Sequence, residues 1–226
     1  MAFKYHTVVP WGRSFSEYQR MFRLSENNLE VGILGCGDGP ASFNAYMHQR
    51  GHHVISCDPL YQLTAQQIKE RIDATYETVI GQTRQNQDRF VWDVIQSPDE
   101  LGQIRLAAMN EFLADYESGK GNGRYIAAEL PHLPFRSNSF GIAVCSHFLF
   151  LYSDNLSLEF HQQAIAEMCR VANDVRIFPI LNYNAEPSPF VQPIMGKLTK
   201  MGFDVRLELV PYEFQRHGNQ MMRVIV

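Results

Sequence analysis

Ile33-Leu34-Gly35-Cys36-Gly37-Asp38-Gly39-Pro40-Ala41 runs from apolar residues into three glycines and out toward a helix. The apolar start predicts a buried strand over about 30–35. The glycines let the backbone bend tightly and let a ligand come close to the main chain. The helix that follows, predicted over about 40–50, presents free N–H groups and the positive end of its dipole to the turn. The dinucleotide fingerprint has its third glycine three residues after the second, which here is Pro40. Here Gly39 comes one place early, giving G-x-G-x-G.

A second predicted strand, His53–Cys57, ends at Asp58, 21 residues after Gly37. A carboxylate there can accept hydrogen bonds from both ribose hydroxyls of an adenosine. Alone, it is also an ordinary acid opening a turn before Pro59. After the third strand, predicted over about 124–128, comes Ala128-Glu129-Leu130-Pro131-His132-Leu133-Pro134-Phe135, then Asn138-Ser139-Phe140-Gly141 and a fourth strand ending at Ser146. A helix over about 157–172 closes on Glu167-Met168-Cys169-Arg170-Val171.

Together these segments resemble the class I, Rossmann-like S-adenosylmethionine-dependent methyltransferase family over about 31–61 and 124–182. The resemblance implies an α/β fold with a twisted, mostly parallel seven-stranded sheet and helices on both faces. It implies S-adenosyl-L-methionine as cofactor and methyl transfer to a small-molecule acceptor. Mapped onto this chain, Gly35, Cys36, Gly37 and Gly39 form the cofactor turn; Asn44, just after it, is either a hydrogen-bonding group near the methionine tail or an ordinary polar residue in the first turn of the helix. Asp58 and Pro59 lie at the ribose, Glu129 and Leu130 at the adenine, and Ser146 at the end of the fourth strand. The chain departs from the family in three places. Ile33 replaces an acid two residues before the first glycine, Gly141 replaces an aspartate, and Glu129 replaces a more usual aspartate.

Methyl transfer asks mainly for alignment and the exclusion of water, so no triad-like signature is expected. His147, at the carboxyl end of the fourth strand, is the candidate base or substrate contact, with Tyr152 ranked behind it. Ser14 and Glu17 stand at capping-box spacing, and Phe15, Tyr18, Met21 and Phe22 share one face of the helix they open. Residues 1–28 are read as an N-terminal helical cover of a single domain, 1–226. Residues 62–120 are read as a helical insertion between strands two and three, with helices over 62–72, 76–87 and 99–116. The aromatic face near the N-terminus, and Phe90 and Trp92, either line a pocket or simply pack. Tyr212 and His217 reach the site only if the predicted C-terminal hairpin, 203–210 with 220–226, curls toward it.

Composition bounds the rest. With 45% hydrophobic residues the chain can bury a core. A formal net charge of -4 gives no global attraction to nucleic acid, and no run reaches the roughly 20 apolar residues of a membrane span. Met1–His6 lacks a secretory pattern, and Cys36, Cys57, Cys145 and Cys169 form no metal-type spacing, so a cytoplasmic protein with reduced thiols and no metal is expected. Three other readings stay open. They are a non-catalytic S-adenosylmethionine or S-adenosylhomocysteine binder, a nicotinamide-dependent oxidoreductase, and a degenerate interaction domain.

Overall fold

The computed structural model describes residues 9–226; Met1–His6, on which the reading of the chain's start rests, lie outside the described residues. A seven-stranded sheet runs through the molecule. Its strands are β1 (Ile33–Cys36), β2 (Val54–Cys57), β3 (Tyr125–Ile126), β4 (Phe140–Ser146), β5 (Ala172–Phe178), β6 (Asp204–Leu209) and β7 (Gln220–Ile225). They lie in the order β3-β2-β1-β4-β5-β7-β6. β3 through β5 pair in parallel, while β7 is antiparallel to both of its neighbours. The central strands read as buried runs, unbroken in β1 and interrupted only at Gly141 in β4, because helices cover both faces. β6, at the edge, carries exposed charges such as Asp204 and Arg206, which discourage further pairing.

The helices are α1 (Phe15–Met21), α2 (Glu26–Leu29), α3 (Phe43–Gln49), α4 (Ala65–Gln85), α5 (Pro98–Gly121), α6 (Leu158–Val171) and α7 (Val191–Lys200). The Ser14–Glu17 capping box opens α1 as expected. A second box at Ser25–Asn28 opens α2, which sequence reasoning missed; this short helix delays β1 until Ile33. Gly51, with φ of 80°, follows the last turn of α3 in the left-handed conformation that a glycine adopts without strain. β5 lies three residues earlier than expected and stops before Pro179, which has no N–H to continue the ladder.

The insertion holds two long helices instead of three. Between Ile72 and Tyr76 there is no glycine or proline to end a helix, so α4 continues unbroken for 21 residues from its Thr64 cap. α5 starts from Ser97, whose hydroxyl accepts the Glu100 N–H at 3.1 Å. Its stripe of Leu101, Ala108, Met109, Phe112 and Tyr116 is buried. The family-like segments hold each other in place. Glu167 accepts the Leu133 N–H at 2.8 Å, and Arg170 donates to the Phe135 carbonyl at 2.9 Å. The helix end thereby clamps the loop that carries Glu129. No described helix is long and apolar enough to cross a membrane.

Candidate active site

A cavity of about 960 Å³ opens at the carboxyl ends of the strands. Its floor contains Gly37, Gly39, Asp58, Pro59, Glu129 and Leu130, and its flank contains Ser146 and His147. Gly35, Cys36 and Asn44 do not line it.

Two glycines of the turn answer different steric demands. Gly37 has φ of 67°, and a Cβ there would come within 3.0 Å of the Phe148 ring. Gly35 makes room for the chain's own acid: a Cβ on it would lie 1.7 Å from Asp38 Oδ2. Asp38 folds back over β1 and accepts from Ser56 Oγ at 2.7 Å and from the Tyr18 hydroxyl at 2.9 Å. The family's carboxylate is missing at Ile33, which is buried in the core, yet Asp38 places one in the loop itself. Burial lifts its carboxyl to about 7 against the pull of those two hydrogen bonds, and the nearby Asp58 charge adds to the rise.

Asp58 does start a turn, accepting the Leu60 N–H at 2.8 Å, and it also accepts the Gly39 N–H at 2.8 Å. It thus ties the end of β2 to the glycine turn while facing the cavity. Burial raises its carboxyl above the usual carboxylate range. Glu129 is exposed on the cavity wall, and its side chain makes no hydrogen bond among the described residues.

Asn44 corrects an expectation. Its amide, 1% exposed, donates to the Val54 and Arg124 carbonyls and to Ser56 Oγ, and it accepts from Arg124 Nη1 at 2.7 Å. That uses both N–H groups of an amide that does not line the cavity, so Asn44 fastens β2 to β3 from behind and reaches the site only through Ser56 and Asp38. Cys36 is wholly buried in the core, so its thiol offers the cavity nothing.

His147 sits with φ of 53° at the end of β4, its Nδ1 2.9 Å from Ser146 Oγ. Burial, and then the charges of Arg13 and Arg105, hold its imidazole well below the usual histidine range. It is therefore uncharged at neutral pH and a weak base. Tyr152 also reaches the wall, but its hydroxyl accepts the Val9 N–H at 3.2 Å, holding the strap of residues 9–13 across the site.

The cover comes from three distant segments, and sequence reasoning missed what joins them. Glu17, 3% exposed, receives Arg105 Nη1 at 2.6 Å, the Tyr212 hydroxyl at 2.9 Å and the Ser14 N–H at 3.0 Å. Burial alone would raise this carboxyl; Arg105 overcomes that and holds it at about 2. Tyr212 thus reaches Glu17 behind the cavity wall but does not line the cavity itself; of the β6–β7 connection, Phe214 and Gln215 do. Phe214 stacks on Phe90 at 4.8 Å, and the Val91 N–H donates to the Phe214 carbonyl at 2.8 Å. His217 stays exposed and outside the cavity. Of the N-terminal aromatic face, Tyr18 lines the cavity, Phe22 is core, and Phe15 stacks on Tyr46 at 4.1 Å. A cation inside the apolar stripe of α5, Arg105, was the available clue to the buried pair. No group of residues suited to holding a metal ion occurs among the described residues.

A sheet in this order, with only β7 reversed and a glycine turn after β1, defines the class I, Rossmann-like S-adenosylmethionine-dependent methyltransferase fold. The chain belongs to the family of Uncharacterized protein MJ0045 from Methanocaldococcus jannaschii, with which it is 33% identical over 219 residues, 95% of each chain. No family model matches. Among solved structures, it is similar to magnesium protoporphyrin IX methyltransferase from Synechocystis PCC 6803 with bound SAM, at 12% identity and a TM-score of 0.45, covering 88% of this chain and 72% of that one. It is also similar to a SAM-dependent methyltransferase from Aquifex aeolicus, at 15% identity and a TM-score of 0.43, covering 93% of both chains.

Proposed function

We propose that this chain binds S-adenosyl-L-methionine in the floor of the cavity and transfers its methyl group to a small-molecule acceptor held under the cover. The supporting observation is that Asp58 and Glu129 face one cavity beside the glycine turn with acceptor capacity to spare. Each Asp58 oxygen takes one backbone N–H and can accept more, and Glu129 is uncommitted. An adenosine offers two ribose hydroxyls and an amino group as matching donors. Asp38 within the glycine turn argues against a nicotinamide dinucleotide, whose pyrophosphate would lie against that turn, and favours a ligand with a cationic head; Asp58 serves a ribose in either class.

When bound, the cofactor supplies an electrophilic methyl carbon. The chain's own residues orient and exclude water: Asp58 and Glu129 fix the nucleoside, and Asp38 and Ser146 border the amino-acid end. The clasp of residues 88–91 on 214–216 roofs the space. His147, uncharged, offers a lone pair only to a proton already released by the reacting acceptor. The cavity lies at the upper end of the size range for single small-molecule sites, which leaves room for cofactor and acceptor together. Four free, buried thiols accord with a cytoplasmic setting.

Calorimetric titration with S-adenosylhomocysteine, S-adenosylmethionine and NAD tests the reading. The first two are expected to bind, Asp58→Ala and Glu129→Ala to weaken them about tenfold or more, and NAD to give no heat. A non-catalytic binder is the second reading, supported by the poor basicity of His147. Turnover of radiolabelled methyl groups onto a small-molecule panel decides between the two.

A further inference from the structure

The cover holds a charge that its own residues leave unbalanced. Arg13 and Arg105 both line the cavity, and Glu17 is paired with Arg105 at 2.6 Å. Arg13 has no carboxylate partner among the described residues; its one hydrogen bond runs from Nη1 to the Trp11 carbonyl at 3.2 Å. The Nε–H groups of both arginines are buried without a hydrogen-bond partner. Arg105 is only 1% exposed. Two guanidiniums on one cavity wall, only one of them matched by a carboxylate, leave a cation that an anionic ligand in the cavity would balance. The two cations also oppose each other: burial and then the Arg105 charge lower the pKa of Arg13.

Arg13 is held where it stands. Its carbonyl accepts the Ser42 N–H at 3.0 Å, and a Cβ at Gly12 would lie 2.0 Å from the Pro40 carbonyl, so the strap is pressed against the glycine turn. The same cavity carries an apolar wall of Trp11, Leu101, Phe90, Phe148, Phe160 and Phe214, with the uncharged His147 also near the pair.

We infer that Arg13, backed by Arg105, forms an anion seat that takes the carboxylate of a ligand bound in this cavity. A carboxylate there meets a planar guanidinium that can grip it with two hydrogen bonds, and it neutralises the excess positive charge. The carboxylate belongs either to the adenosylated amino acid or to an acceptor whose apolar body rests on the aromatic wall. The inference rests on the methyltransferase reading for the first source and not for the second.

Arg13→Gln tests the seat, because Arg13 carries no ion pair whose loss would unfold the cover; Arg13→Lys is the control that keeps the charge. Each protein is titrated with S-adenosylhomocysteine, with 5′-methylthioadenosine, which lacks the amino-acid tail, and with phenylacetate. If the nucleoside supplies the carboxylate, Arg13→Gln weakens S-adenosylhomocysteine about 10- to 100-fold, leaves 5′-methylthioadenosine unchanged, and Arg13→Lys recovers part of the loss. If the acceptor supplies it, S-adenosylhomocysteine is unaffected and phenylacetate binding is lost. Equal binding of all three probes to wild type and Arg13→Gln overturns the seat. Failure of both nucleosides to bind the wild-type protein sinks the methyltransferase reading instead, and phenylacetate then judges the seat alone.

Discussion

The floor and the cover of this cavity are built by opposite means. The floor is local: β1, the glycine turn, Asp58 and Glu129 all lie at strand ends, held by backbone ladders and short-range hydrogen bonds. The cover is assembled across the chain, since Glu17 on α1 holds Arg105 on α5 and Tyr212 beyond β6, separated by 88 and 195 residues. A floor of this kind tolerates a change in one contact because the sheet supplies the rest. A cover of this kind depends on one buried ion and fails with it. Binding of the adenosine moiety should therefore track floor residues, while stability and the seating of a ligand carboxylate should track the cover.

The contrast is sharpest at Glu17. Glu17→Ala leaves Arg105 buried and unpaired and is expected to cost about 3–5 kcal/mol in urea unfolding. A loss under about 1 kcal/mol would show that the three segments do not depend on that ion. The Glu17 carboxyl lies at about 2 in the folded protein against 4.5 unfolded, so its stabilisation is complete above the unfolded value and fades as pH falls toward 2.

Asp38 carries the opposite sign within the floor. Its folded carboxyl stands at about 7 against 3.8 unfolded, so the folded state holds the extra proton between those values and loses stability as pH rises through the window. The loss is at most about 4 kcal/mol, and Asp38→Asn is expected to flatten this slope in unfolding curves taken from pH 4 to pH 8. An unchanged slope would remove Asp38 as its source. Gly35→Ala should be destabilising by about 2 kcal/mol or more, since its Cβ collides with the Asp38 carboxyl; in an Asp38→Ala background the cost should shrink, and strict additivity would refute the contact.

Asn44→Ala separates fastening from binding. It strips a buried amide of four partners and should lower stability by about 1–3 kcal/mol, with S-adenosylhomocysteine affinity changed less than threefold. Lys69→Ala, at an exposed pair on α4, should change stability by less than about 1 kcal/mol.

The same division explains what could be read from the sequence. Glycine spacing, an acid at a strand end and the L-P-F loop are local patterns, so the mostly parallel seven-stranded sheet and the residues that line the floor were legible from them, while the strand order was not. Asp38 stood in plain view within the motif, but its role depends on a fold-back over Gly35 that spacing does not reveal. Asn44 misled because a polar residue after the turn looks the same whether it faces the ligand or β2 and β3. Glu17 looked like a helix cap, and it is one; its longer-range bonds exist only once α5 and the 210–219 connection close over it. Arg13 lacks any motif, and only the cavity shows that its charge goes unmatched.

The central claim concerns where a nucleoside lies, and a crystal structure of the protein with S-adenosylhomocysteine tests it most directly. The account predicts the ribose hydroxyls on Asp58, the adenine amino group on Glu129 and the sulfur beside the Gly37–Gly39 turn. Density for the nucleoside elsewhere, or a floor closed by the protein's own side chains with those two acids turned away, would contradict it.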